Sequence, residues 1–260
     1  MKFLIQHNLM NEAQLLMVKE AVKNYPTVFI DLIPFSRELK SNEPLDSADF
    51  IPYGSTLLTN LGYSTYKWRG LHFDLTRFNY EEAIKNRSDM LNDDLIMPLS
   101  DAIDFLKNGQ DVDIFIRPSE DLKQFSGQVI KAHECADWLK DATECDSSGS
   151  YKLDLTTKVV IGEPRNIKAE WRWFVIDGKI VGGSMYRRNG RLYSKRELDT
   201  ATIDEAQQLA NIWLPDSCCV MDTALVGDEL KVIEFNCINS SGFYDNDVAA
   251  IFKALWDFHN

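Results

Sequence analysis

Two apolar runs either side of a tight turn constrain this chain more than anything else in it: "SCCVMDTALV" and "ELKVIEFN", joined through Gly227-Asp228. Such runs, meeting at a glycine-containing turn, predict an antiparallel β-hairpin. Successive strand side chains alternate faces, so Glu234 and Asn236, two apart, share one. Asp222 stands on the neighbouring strand, within reach across the hairpin. A carboxylate on a covered face is costly unless positive charge meets it. Either a basic side chain or a metal ion can supply that charge. Asp222, Glu234 and Asn236 are hard oxygen donors of the kind that suit Mg²⁺ or Mn²⁺ shared with phosphates. The plainer alternative is that the two acids decorate a solvent-facing surface.

The β texture begins near Tyr151. "LDLTTKVVIGEP" and "IKAEWRWFVIDGKIVGGSMYRR" read as strands, with a further hairpin turn at Asp177-Gly178. A helix, "IDEAQQLANIW", interrupts them, and "VAAIFKALWDFH" follows. The first third has a different pattern. "KFLIQHN" is a short buried strand, "NEAQLLMVKEAVKNY" an amphipathic helix, and "TVFIDLIPF" and "ADFIPYGS" two more strands before a helix at "TLLTNLGY". Alternation of this kind predicts a small α/β lobe with a parallel sheet. Lys67 to Asp94 reads as loop-rich and aromatic. "PLSDAIDFLKNG" reads as a helix capped near Ser100 and closed by Gly109.

The 260 residues are 45% hydrophobic and carry a formal net charge of -12. That acidity weighs against bulk nucleic acid as a partner, because neutralising phosphates requires cations. The five cysteines (Cys135, Cys145, Cys218, Cys219 and Cys237) show neither Cys-x-x-Cys spacing nor an even count. Reduced, buried thiols are the expectation. No leader-like segment or membrane-length apolar run is present, which predicts a cytoplasmic protein, or one in a host's cytoplasm if phage-encoded.

Two further stretches carry chemistry. "DVDIFIRPSEDLKQFSGQVI" is a strand that delivers Arg117 to a Ser/Gly-containing loop bearing Lys123, with the next strand starting near Val129. Cations and backbone amides in such a loop can cradle phosphate oxygens, and an ordinary surface turn would look the same. "VVIGEPRNIKAEWRW" places Glu170 and Arg172 on one strand face, with Glu163 before them. A ribose-binding acid beside a phosphate-binding arginine, or a simple salt bridge, both fit.

Taken in order, these stretches resemble the ATP-grasp superfamily. A strand ends in a basic residue plus Pro, a glycine-containing lid loop follows, then a hinge strand with two acids, then an Asp…Glu-x-Asn set. "EFN" before "NSSGFY" is the most specific part, and "RPSEDLKQFSG" and "EWRWFVIDGKIVGGSMY" resemble an uncharacterised, phage-frequent branch with Arg in place of Lys before Pro. The resemblance implies two β-rich lobes clasping ATP over residues 99–260 (a lid-bearing part over 99–165, a metal-binding part over 166–260), preceded by the α/β lobe over 1–98. It implies an ATP-dependent carboxylate–amine ligase acting through an acyl-phosphate on a small-molecule, amino-acid or peptide substrate, with no membrane partner. An ATP-binding module without turnover is the runner-up.

By resemblance, Arg117 and Lys123 hold ATP phosphates, Glu163 meets adenine, and Glu170 the ribose. Asp222, Glu234 and Asn236 hold Mg²⁺, or Mn²⁺. Arg172 points at phosphate or the acyl-phosphate. Relatives carry Arg two positions before the Asp, where this chain has Val220; Arg172, Arg187 and Arg188 are the candidates to replace it. Lys107 and Lys158 are candidates for a second phosphate lysine. The acceptor is expected at Tyr53, Gly54 and Ser55, facing Ser241 and Tyr244 of the "NSSGFY" loop.

Overall fold

The computed structural model describes residues 1–8, 10–33, 36–107, 111–120, 125–144, 153–196 and 198–260. The apolar run Lys2–Gln6 forms β1, and β2 (Thr27–Leu32) and β4 (Phe50–Tyr53) pair with it in parallel on its two sides. A two-residue β3 (Leu39–Lys40) adds antiparallel to β2. Parallel neighbours need a crossover. Helix α1 (Glu12–Val22) supplies the first one, capped by Asn11, which accepts the Gln14 N–H at 2.9 Å. Ser55 caps α2 (Thr56–Leu61) in the same way. The loop-rich segment contains one helix the sequence reading does not anticipate, α3 (Tyr80–Asn86), capped by Asn79.

A second, antiparallel sheet has the order β5-β8-β6-β7, formed by β5 (Leu95–Pro98), β6 (Asp113–Pro118), β7 (Gln128–Lys131) and β8 (Lys158–Gly162). Helices α4 (Leu99–Lys107) and α5 (Ala132–Glu144) cover it, burying Leu99, Leu106, Cys135 and Leu139 against Ile116 and Val159. Helix α4 leaves β5 directly, so Ser100 lies inside the first turn and is not the cap; Gly109 falls outside the described residues.

The third sheet is the largest: β9 (Ile167–Ile176), β10 (Lys179–Arg188), β11 (Arg191–Lys195), β12 (Cys219–Val226) and β13 (Glu229–Asn236), antiparallel throughout in the order β11-β10-β9-β12-β13. Asp177-Gly178 and Asn189-Gly190 both hold positive φ, which matches the twist of a two-residue hairpin turn. One face of this sheet is apolar along its length. Trp171, Trp173, Val175, Met221 and Phe235 pack there beneath Ala206 and Ala210 of α6 (Thr200–Ile212). The other face changes character along the strands. Phe174 and Val220 join Phe3, Ile5 and Ile51 and the last helix, α7 (Val248–His259), in one core. Two residues further on, the same face presents Arg172 and Asp222. The apolar half fastens the first lobe to the sheet, and the polar half is left for a site.

Candidate active site

In the β9–β12 register Arg172 is the partner of Asp222, and in the β12–β13 register Asp222 is the partner of Glu234. Their side chains meet accordingly. The Arg172 guanidinium donates from Nε to Asp222 Oδ1 at 2.9 Å and from Nη2 to Oδ2 at 2.6 Å, a two-pronged pair. Its third nitrogen reaches the Gly242 carbonyl at 3.1 Å. The Asn236 amide donates to both carboxylates, at 3.2 Å to Asp222 and 3.1 Å to Glu234. From the end of β6, on the other sheet, Arg117 donates to Glu234 Oε2 at 2.6 Å. Two carboxylates, two guanidiniums and an amide thus form one continuous network between two sheets.

Aromatic rings support both arginines. The Arg117 guanidinium lies 4.9 Å from the Tyr80 ring, and that of Arg172 lies 4.9 Å from Tyr244. Tyr244 stacks on Tyr186 with centroids 4.7 Å apart and planes 9° from parallel. A cation over such faces is attracted by the ring quadrupole. Tyr244 itself adopts φ of +50°, a region that bulky residues seldom enter. Burial opposes the charge of Arg172, but the Asp222 carboxylate outweighs it and pushes the guanidinium pKa further up. Burial also raises Tyr186, with Asp222 and Glu170 adding to it, so its phenol stays protonated. Tyr80 is raised to about 12, by burial first, against a lowering pull from Arg117.

All of these side chains but those of Asn236 and Tyr80 border a cleft of about 570 Å³ between the two antiparallel sheets. Arg117, Glu170, Arg172, Arg187, Asp222, Glu234 and Tyr244, all singled out from sequence, are on its wall. Glu170 meets Arg187 at 3.4 Å. Glu163 and Lys158 are not among the lining residues: Glu163 is 88% exposed, and Lys158 pairs with Glu81 at 2.5 Å. Lys123 lies outside the described residues. Tyr53, Gly54, Ser55 and Ser241 come together, as the sequence reading expects, but they are bonded to one another and to the frame. The Tyr53 hydroxyl donates to the Ser241 carbonyl at 3.0 Å, the Gly54 N–H to the Asn239 carbonyl at 2.9 Å, and the Ser55 hydroxyl to Gln6 at 2.8 Å. Tyr244 is the half-exposed member of that set.

Sequence reasoning misses Tyr186, Asn92 and Arg165 on the cleft wall, and Tyr80 beside Arg117. Tyr186 reaches it by alternation, two residues on from Ser184, the partner of Arg172; the register shift between Met185 and Arg187 then brings Arg187 to the same face, opposite Glu170. The tyrosines flanking "RR" and "EE" were the available signal. A second polar cluster lies apart from the cleft: His72, Asp216 and Cys218, with donor atoms within 4.8 Å of one another. His72 already engages Asp216 through Nδ1 at 2.8 Å and His259 through Nε2 at 2.9 Å, so this group is a hydrogen-bonded tie.

The donor set in the cleft fits a divalent cation. Asp222, Glu234 and the Asn236 amide offer hard oxygens from adjacent strands, and both carboxylates are placed where positive charge already meets them. A half-turn of the Asn236 amide would present its oxygen.

The model of the ATP-grasp domain, R2K clade family 2, matches residues 97–254. The chain belongs to this ATP-grasp family. Solved structures agree on the fold. D-cycloserine synthetase DcsG superposes with a TM-score of 0.62 at 9% identity, over 100% of both chains. D-alanine–D-alanine ligase from Bacillus anthracis complexed with ATP gives 0.59 at 12% identity, over 100% of this chain and 97% of that one. The macrocyclase MdnC from Microcystis aeruginosa, bound with its precursor peptide MdnA, gives 0.59 at 12% identity over 99% and 100%. No curated protein sequence matches the chain. The cleft and its charged network lie between two β-sheets of this fold. Among the described residues no helix is long and apolar enough to cross a membrane.

Proposed function

We propose that this ATP-grasp protein is an ATP-dependent carboxylate–amine ligase that binds ATP with Mg²⁺, or Mn²⁺, in the cleft between its two antiparallel sheets. The observation that carries the reading is the charged network itself: Asp222 and Glu234 converge from neighbouring strands, and each is held by an arginine that borders the cleft. Asp222, Glu234 and Asn236 would hold the metal, whose charge would offset that of the triphosphate; a substrate carboxylate takes the γ-phosphoryl group with loss of ADP, and an amine then attacks the acyl carbon and expels phosphate.

The protein's own residues do the positioning. Arg117, with Lys123 from the loop after it, holds phosphate oxygens, and Glu170 takes the ribose hydroxyls. Glu163 would meet adenine and Lys158 a phosphate oxygen, although neither lines the cleft. Arg172 and Arg187 face the reacting carboxylate and stabilise the charge that spreads over its phosphate. Arg172 fills the place left by Val220, since its guanidinium already embraces Asp222. Tyr244, stacked and half exposed, contacts the acceptor; Tyr53, Gly54, Ser55 and Ser241 hold the α/β lobe over residues 1–98 against it. The substrate is a small molecule, an amino acid or a peptide.

Arg117 and Arg172 are the counter-ions of Glu234 and Asp222. With Mg·ATP bound, the guanidiniums would turn to phosphate and the carboxylates would hold the metal. Glu234→Ala removes the central acid without touching the apolar core. ADP release in the presence of Mg·ATP and a pool of carboxylates and amines is expected to fall by about two to three orders of magnitude. Undiminished ADP release from this variant would refute the reading.

A further inference from the structure

Tyr80 is joined to both of the sheets that flank the cleft. Its N–H donates to the Ser119 carbonyl at 2.7 Å, two residues beyond Arg117 at the end of β6. Asn79, the cap of α3, accepts the Ser119 hydroxyl at 2.7 Å and fastens the same corner. At the far end of the side chain, the Tyr80 hydroxyl accepts the Asn92 N–H at 3.1 Å. The residues just before Asn92 run along the edge of β13. There the Leu91 N–H donates to the Val232 carbonyl at 2.7 Å, and the Val232 N–H to the Asp89 carbonyl at 2.9 Å. Arg87 braces that stretch, its guanidinium donating to Asp89 and to the carbonyls of Leu209 and Trp213. Val232 is two residues from Glu234 on the same strand. One residue thus bridges the strand that carries Arg117 and the strand that carries Glu234.

The Tyr80 ring lies at the centre of this bridge, 4.9 Å from the Arg117 guanidinium. Tyr80 is 4% exposed and the Arg117 side chain 13%, so the contact is screened from water, where a cation over a ring gains most. A core-filling aromatic needs only a ring in an apolar setting. Here the ring, the hydroxyl and the N–H each have a separate partner, and all three lead to the contact between Arg117 and Glu234. Phe would supply the ring and leave the Asn92 N–H without this acceptor; an aliphatic residue would supply neither. We propose that Tyr80 is a positioning residue for Arg117, a platform tethered to both sheets that holds the guanidinium at the cleft wall while it pairs with Glu234 and while it holds phosphate. An unsupported arginine loses rotamer freedom each time it binds an anion, and a platform fixes that order beforehand. The part played toward phosphate rests on the ligase reading; the hold on the guanidinium does not.

Calorimetric titration of the full chain tests this, with a non-hydrolysable ATP analogue plus Mg²⁺ and with adenosine as the phosphate-free probe. Tyr80→Leu is expected to weaken the analogue by about tenfold and adenosine by less than about twofold. Tyr80→Phe keeps the ring and should recover most of the loss. In an Arg117→Met background, Tyr80→Leu should cost no further affinity, because nothing is left to position. A second arm needs no nucleotide: in urea unfolding, the losses from Tyr80→Leu and Arg117→Met should be less than additive in the double variant. If Tyr80→Leu fails to fold, Tyr80→Met, which also lacks the ring, takes its place with the same expectations. Unchanged analogue affinity, equal weakening of analogue and adenosine, an undiminished effect in the Arg117→Met background, or additive unfolding losses would each overturn the proposal. Failure of the wild type to bind the analogue would count against the ligase reading and leave the unfolding cycle to decide the role of Tyr80.

Discussion

Asp222 is 2% exposed and Arg172 grips it with two hydrogen bonds, so neither side chain can lose the other without consequence. Cutting one partner from a buried pair leaves an uncompensated charge and destabilises by about 3–5 kcal/mol. Arg172→Met is expected to lower unfolding free energy in urea by about that much, and Asp222→Asn in the same chain should recover a large part of it, because the orphaned charge is gone. Arg172→Lys keeps the charge but not the fork, and should fall between. At this scale the sequence is legible where strand alternation rules. Glu170 with Arg172, and Glu234 with Asn236, share faces because they are two apart. The pairing of Arg117 with Glu234 is not legible. The residues are 117 positions apart and on different sheets, so only the packing of the two lobes brings them to 2.6 Å. Nor could alternation place Arg187 on the same face as its neighbour Tyr186, because a bulge suspends it there.

The "NSSGFY" element illustrates how a motif's most informative residue can be one that never touches a ligand. Asn239 is 1% exposed and spends its side chain on three backbone groups: Nδ2 donates to the carbonyls of Pro52 and Gly70 at 2.7 and 3.0 Å, and Oδ1 accepts the His72 N–H at 2.8 Å. It pins β4 and the loop at Gly70 and His72 to the segment after β13. Asn239→Ala would leave three buried polar groups short of partners, a loss of about 3 kcal/mol or more. A clear fall in melting temperature, together with weaker Mg·ATP binding as Tyr244 loosens, is expected; an unchanged melting curve would show that water or a neighbour replaces the amide. Helix α5 is invisible beforehand because it enters straight from β7 with no Ser, Thr, Asp or Asn cap at its start, whereas α4 is legible as a helix and only its start, on Leu99 at the end of β5, is not. The hairpins, by contrast, are written in their glycine turns.

Across the whole molecule, His72 ties three distant segments together, through Asp216 ahead of β12 and His259 at the end of α7. Burial opposes its charge, but Asp216 and Cys218 overcome that and raise it from 6.5 to about 9, whereas burial and the neighbouring His72 lower His259 to about 4. A base whose folded pKa is raised contributes stability that is complete below its unfolded pKa and disappears as pH climbs through the folded one. Melting temperature should therefore decline between pH 6.5 and about 9, and His72→Gln should flatten that limb. The lowered His259 acts at the acid end, where stability falls as pH drops from 6.5 toward 4. None of this tie is predictable from four scattered histidines. The convergence of Asp222, Glu234 and Asn236 is, because the hairpin and strand alternation bring them together. The central claim is that Asp222 and Glu234 exchange their arginines for a metal carrying triphosphate. Calorimetric titration with a non-hydrolysable ATP analogue tests it most directly, run with Mg²⁺, without it, and with Mg²⁺ alone. Strong binding only when both are present, lost by about tenfold or more in Glu234→Gln, is the predicted result. Equal binding of the analogue with and without Mg²⁺, unaltered in that variant, would contradict it.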